Sequence, residues 1–99
     1  DELDEEAQRT RILARKALVE HGDYFAVLGV PHSATAYDIR RAYLELKREL
    51  EPARALTRNT ADLRDDLDLI LEVVDEAYEI LRDHTRRERY RRAITAAPE

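Results

Sequence analysis

The sequence of 99 residues predicts an all-α fold, on three observations. It contains only two glycines and three prolines. Charged residues make up 39% of the chain, above the ~25% of ordinary domains, which favours helices with charged exposed faces. Apolar residues recur at spacings of three and four, and neither a strand alternation nor an Asn-Gly hairpin is found. We therefore expect helices packed around one core.

The first helix is predicted over residues 3–20, because acidic side chains crowd its first turn and Gly22 can end it. A short second helix is predicted at 24–28, with Asp23 as its N-cap and Gly29 as its end. The predicted apolar stripe of the first helix consists of Leu3, Ala7, Leu13, Ala17 and Leu18.

A third helix is predicted over residues 36–50. Thr35 and Asp38 resemble a capping box at its start, and Pro52 ends it, since the residue before a proline avoids helical geometry. Residues 51–59 are predicted to be a polar loop. The apolar positions of the third helix are Ile39, Ala42, Tyr43, Leu46 and Leu50.

The longest helix is predicted over residues 61–82, with Asn59 or Thr60 as its N-cap. Its apolar face covers about half of the circumference, too wide for one partner helix. We expect the 36–50 helix to cover one part, and either the N-terminal helix or another chain to cover the rest. The central seam is Leu63, Leu67, Ile70, Val74, Ala77 and Leu81. If the N-terminal helix covers the rest, its residues Leu13, Ala17 and Leu18 would lie on the flank formed by Leu69, Val73 and Ile80.

A last helix is predicted over residues 85–94, capped by Asp83 and anchored by Tyr90 and Ile94. Its many arginines could bind nucleic acid or anionic lipid. An exposed basic helix that balances the acidic 61–82 helix is the favoured interpretation, because the chain has a net charge of −5. The arginines are Arg82, Arg86, Arg87, Arg89, Arg91 and Arg92.

Composition excludes several functional classes. Without cysteine, the chain can form neither disulfides nor thiolate zinc sites. Its three histidines lack the spacing of metal ligands, Ser33 is the only serine, and no glycine-rich phosphate loop exists. We expect no enzymatic activity, cofactor, metal or membrane span, and a cytoplasmic location. Because no initiator methionine is present, we also expect the chain to be part of a larger protein.

Four segments together resemble the J-domain of DnaJ-type co-chaperones. They are DYFAVLGV from Asp23, ATAYDIRRAYLEL from Ala34, VDEAYEILRD from Val74 and RRERY from Arg86. The resemblance covers residues 23–94. It implies a four-helix module with an antiparallel hairpin of the 36–50 and 61–82 helices. Residues 1–22 would then be an additional N-terminal helix, and residues 95–99 a frayed tail.

The resemblance also locates a departure from the family. J-domains carry a His-Pro-Asp tripeptide at the position occupied here by Glu51, Pro52 and Ala53. In the family, the aspartate engages an arginine of a DnaK-type chaperone and helps to trigger ATP hydrolysis. Ala53 has no carboxylate for such a charge-assisted hydrogen bond.

The family also presents a basic surface on the helix before the tripeptide. In this chain Arg40, Arg41, Lys47 and Arg48 retain positive charge there, and we predict that they and the 51–53 tripeptide form a partner-binding surface. Three other residues stand where the family usually has arginine or lysine: Leu44, Glu45 and Glu49.

These features predict a non-catalytic protein-interaction or scaffold module, built on a degenerate J-domain that does not stimulate a DnaK-type ATPase. Its partner would be another domain of the parent chain, another J-like domain or, weakly, a DnaK-type chaperone. Three alternatives remain open, the third being a nucleic-acid binder that acts through the arginines of the last helix. The first is a functional DnaJ-type co-chaperone. The second is a regulatory decoy that pairs with an active J-domain, similar to the degenerate J-like subunit of the mitochondrial import motor.

Overall fold

A computed structural model describes residues 2–96 and has six α-helices, with no strand among these residues. The all-α prediction is confirmed. Helix α6 includes Thr95, one residue beyond its predicted end, and residues 97–99 of the predicted frayed tail lie outside the described residues. The helices are α1 (Glu2–His21), α2 (Tyr24–Leu28), α3 (Ala36–Glu49), α4 (Pro52–Ala55), α5 (Arg64–Leu81) and α6 (His84–Thr95).

Side-chain caps fix the starts of three helices as predicted. The Asp23 carboxylate accepts from the Ala26 N–H at 2.9 Å, and Asp83 accepts from the Arg86 N–H at 2.8 Å. Thr35 and Asp38 form a reciprocal capping box at the start of α3. Gly29 ends α2 with φ +74°, a left-handed conformation that suits glycine because it has no Cβ.

Two predictions about the segment between α3 and α5 were wrong. The predicted polar loop 51–59 contains the single helical turn α4, because Pro52 at the first helical position favours a helix start. Neither Asn59 nor Thr60 caps α5 with its side chain, and α5, with 18 residues, is not the longest helix, because α1 has 20. Thr60 is completely buried, and its hydroxyl donates to the Ala55 carbonyl at 2.9 Å. A 3₁₀ turn, Ala61–Leu63, precedes α5.

Helix α5 is the centre of the fold. Its predicted seam is buried along its whole length, and α1, α2, α3 and α6 all contact it. Removing this apolar surface from water is the main stabilising contribution. The buried residues of the seam are Leu63, Leu67, Ile70, Val74, Ala77 and Leu81.

The predicted antiparallel hairpin of α3 and α5 is present. The rings of Tyr43 and Tyr78 stack with their centroids 4.0 Å apart. The Tyr43 hydroxyl donates to Asp75 at 2.8 Å, and Lys47 forms an ion pair with the same carboxylate at 3.1 Å. Both contacts join α3 to Asp75, in the second half of α5.

Helices α2 and α6 meet at one end of the hairpin. Phe25, Val27 and Leu28 of α2 are buried, whereas Tyr24 is half-buried. The ring of Tyr24 stacks on Tyr90 of α6, and the Tyr24 N–H donates to the Tyr90 hydroxyl at 2.8 Å. The prediction that Tyr90 anchors the last helix is confirmed.

Helix α1 packs on the same chain, but not through the predicted apolar stripe. Leu3 is 82% exposed and Leu13 is 42% exposed, while Leu69 of the predicted contact is 41% exposed. Ile12 is instead the buried residue of α1. Polar side chains of α1 also contact the rest of the chain; for example, Lys16 forms an ion pair with Asp66 at 2.9 Å. The predicted stripe omits Ile12 and the partly buried Val19, which lie seven positions apart on one face of α1 and pack against the core.

The prediction of an exposed basic α6 is wrong for two arginines. Arg87 is 7% exposed, and its Nη1 donates to the Leu81 carbonyl at the end of α5. Arg91 is half-buried and donates to the carbonyls of His32 and Ala34. Both side chains therefore hold neighbouring segments in place. The exposed arginines of this cluster are Arg82, Arg86, Arg89 and Arg92.

Replacing the buried residue of α1 tests how α1 is held. We expect Ile12→Ala to lower the free energy of unfolding by about 2–5 kcal/mol, because it removes buried methyl groups and leaves a cavity. Leu13→Ala, on the exposed side of the same turn, is the matched control and should change it by about 0.5 kcal/mol or less. Urea unfolding measures both; equal effects would contradict this packing.

Alkaline pH tests the tyrosine contacts. Burial and the hydrogen bond to Asp75 raise the pKa of Tyr43 to about 12, and the hydrogen bond to Glu76 with burial raises the pKa of Tyr24 to about 12. The folded chain favours the neutral phenols, so their contribution to stability is complete below pH 10 and is lost as pH rises towards 12. Tyrosinate absorbance should show both hydroxyls ionising well above pH 10. Tyr43→Phe should remove one of these two transitions. Ionisation of both near pH 10 in the folded chain would refute this.

Candidate partner-binding site

The tripeptide position lies at the turn between the two long helices of the hairpin. Helix α3 ends at Glu49, and Glu51, Pro52 and Ala53 are all exposed at the start of α4. Pro52 and Ala53 are helical, and Glu51 is the N-cap of α4: its carbonyl accepts from the N–H groups of Arg54 and Ala55, both at 2.8 Å. The side chains presented to solvent are therefore a carboxylate, a proline ring and a methyl group.

The segment behind this turn is fixed by hydrogen bonds. The buried Thr60 hydroxyl accepts from the Thr57 N–H at 2.8 Å while it donates to the Ala55 carbonyl. Gln8 of α1 donates to the same carbonyl at 3.4 Å. The backbone of α4 is thus held both by its own loop and by the N-terminal helix.

A second contact between α1 and this loop is ionic. Arg9 donates to both oxygens of Asp62, at 2.9 and 2.8 Å, and to the Asn59 carbonyl at 3.1 Å. These bonds lower the pKa of the Asp62 carboxyl. Glu5 also accepts from the Asn59 side chain. Sequence reasoning missed this contact, because residues about 50 positions apart in sequence gave no local pattern to detect it.

The four predicted cations of α3 surround one exposed apolar residue. Leu44 is 48% exposed, and Arg40, Arg41, Lys47 and Arg48 lie three or four positions from it. On a helix these spacings place side chains next to each other. The structure therefore brings the four cations onto one surface, with an apolar centre, adjoining the exposed Glu51.

Two of these four cations are paired within the chain. Arg41 forms an ion pair with Glu45 at 3.2 Å, and Lys47, half-buried, pairs with Asp75. Arg40 and Arg48 have no ion pair with any residue in 2–96. The positive charge left for a partner is therefore smaller than the residue count suggests.

The described residues hold no group of three or more histidine, aspartate or glutamate side chains that could bind a metal ion. In the same part of the chain, no helix is both long and apolar enough to cross a membrane. The exposed side chains at the turn can make charged and apolar contacts with another molecule.

Comparison with known proteins gives one family. The DnaJ domain matches residues 23–91. The chain is 34% identical over 77 residues to the chaperone protein DnaJ of Hydrogenobacter thermophilus, which covers 78% of this chain and 20% of that protein. It is 40% identical over 70 residues to the chaperone protein DnaJ of an Exiguobacterium species, covering 71% of this chain and 17% of that protein.

The chain thus spans about a fifth of the length of these relatives. No solved structure matches it at a comparable level of significance. The matched region begins at Asp23, the cap of α2, and runs into α6. Together with the helical hairpin, this match over residues 23–91 establishes that the chain belongs to the DnaJ domain family.

Proposed function

We propose that this J-domain is a non-catalytic protein-interaction module of a larger cytoplasmic protein, and that it does not stimulate a DnaK-type ATPase. The observation that carries the proposal is Ala53, an exposed methyl group where the family has the aspartate that engages the chaperone. A methyl group cannot accept a hydrogen bond from arginine. Glu51 adds a negative charge where the family has an imidazole.

The charges on α3 support the same proposal. Attraction between oppositely charged surfaces speeds association and favours the correct partner. Here Glu45 and Asp75 already engage two of the four cations, and Leu44 occupies the centre of the surface. The surface that would attract an acidic chaperone is therefore weakened at the same time as the tripeptide is altered.

Helix α1 gives a further reason to favour a scaffold role. It holds the turn through Gln8 and Arg9, and it lies outside the region matched by the family. Under this proposal, the partner is another domain of the parent chain or another J-like domain.

A second candidate is a functional DnaJ-type co-chaperone, and the relatives favour it. They are chaperone proteins named DnaJ, and membership of the family implies interaction with a DnaK-type chaperone. Arg40 and Arg48, which lack ion pairs within residues 2–96, could contribute to a weak interaction of this kind.

The two candidates differ in single-turnover ATP hydrolysis by a DnaK-type chaperone. We expect the rate to remain unchanged as the full chain is added in excess, because Ala53 lacks the carboxylate that would engage the chaperone. An intact J-domain protein added in parallel is the positive control. Stimulation in proportion to the amount of this chain would reject the scaffold proposal in favour of the co-chaperone.

A restoration variant separates the tripeptide from the rest of the surface. If the tripeptide is the limiting defect, Glu51→His with Ala53→Asp should gain measurable stimulation. Both positions are exposed, so the variant should keep the fold. Glu51→Asp with Ala53→His, which places the same two residue types in exchanged order and also leaves the net charge unchanged, is the control. A wild-type chain that already stimulates, with no change in the variant, would identify a co-chaperone that tolerates the altered tripeptide.

A further inference from the structure

A groove of about 460 Å³ lies between α1, α3 and α4. Its floor is apolar, formed by Leu46 of α3 and by Leu50, the C-cap of that helix, and Leu18 of α1 borders it. Ala14, exposed on α1, leaves the groove open along that wall. Because α1 precedes the family match at residue 23, this groove is a feature of the present chain and its additional helix.

The rim of the groove is positively charged. Arg11 of α1 and Arg54 of α4 are exposed, Arg15 of α1 is half-buried, and the single carboxylate among the lining residues is Glu49. The Arg11 guanidinium donates only to the uncharged Gln8 side chain, and Arg15 donates to the Val27 carbonyl. None of the three arginines forms an ion pair within residues 2–96, although the whole chain is acidic.

We propose that this groove is the partner-binding site of the module, and that it binds an acidic amphipathic helix. Helices lay their apolar face into grooves of this kind. The stretch of α1 from Gln8 to Leu18 that lines the groove is about 15 Å long, equivalent to about three helical turns. Acidic side chains beside the apolar face of the ligand would meet Arg11 and Arg15, one turn apart, and Arg54 on the opposite side.

This inference rests on the proposed function, because it identifies the chemistry of the partner. The groove also lies next to the turn. Arg54 directly follows the Glu51–Pro52–Ala53 tripeptide, so that a helix lying in the groove would reach the same turn from the α1 side. The partner would then contact α1 and α4 together, and not the outer face of α3.

The test uses a synthetic helical peptide of about 14 residues, with leucines at i, i+3 and i+7 and glutamates on both sides of them. Titrated into the isotopically labelled full chain, it should shift the amide resonances of Ala14, Leu18, Leu50 and Arg54. Binding should weaken as salt is raised, because the ionic contacts are at the rim. The same peptide with lysines in place of the glutamates is the control and should not bind.

Two variants locate the site. Ala14→Trp fills the groove from an exposed position and should abolish binding, whereas Ala17→Trp, exposed on α1 but outside the groove, should leave it unchanged. Charge reversal in Arg11→Glu with Arg54→Glu should weaken binding by about tenfold or more. Arg58→Glu with Arg64→Glu, two exposed positions outside the groove, is the control matched in charge. Circular dichroism of each variant checks that its helices are intact.

Several results would overturn the inference. These are absence of peptide binding, binding that survives Ala14→Trp, binding of dodecanoate in the groove without peptide binding, or concentration-dependent dimerisation that Ala14→Trp removes. The last two would assign the groove to an acyl chain or a second copy. Failure here leaves the proposed function in place if the chain also fails to stimulate ATP hydrolysis. Stimulation would reject the proposed function whatever the peptide does.

Discussion

The apolar seam of α5 is the constraint on which the rest of the structure depends. It is buried from Leu63 to Leu81, and four other helices contact α5. A face this wide cannot be covered by one neighbour, so the other helices must surround it. The polar face of α5 is then available for specific contacts, such as those of Asp75 with α3 and Asp66 with α1.

The turn between α3 and α5 combines an ordered backbone with unusual side chains. Thr60 holds it from inside, while Gln8 and Arg9 hold it from α1. The outward side chains of Glu51 and Ala53 can therefore change without loss of the backbone geometry, since they contribute little to these bonds. This separation would allow the backbone of the turn to persist when the side chains at these two positions differ.

The sequence was informative wherever a contact depended on local spacing. The capping box of Thr35 and Asp38 and the α5 seam are short-range patterns, and both appear in the structure as predicted. The site was predictable to the extent that the cations of α3 share one helical surface. The ion pair of Arg41 with Glu45 is also local, four positions apart, but that of Lys47 was not predictable, because Lys47 and Asp75 are 28 residues apart. The packing of α1 was missed because the predicted stripe followed Leu13 and Leu18, whereas the face that packs carries Ile12 and Val19.

The hydrogen bond from the Tyr24 N–H to the Tyr90 hydroxyl has a consequence for how the fold is lost. A backbone N–H in the first turn of a helix needs an acceptor from elsewhere, and for α2 one such acceptor comes from α6, 66 residues away. If the C-terminal helix detaches, the short helix loses that acceptor and the stacked ring together. The two ends of the family module are thereby coupled, which favours cooperative unfolding over stepwise fraying from the C-terminus.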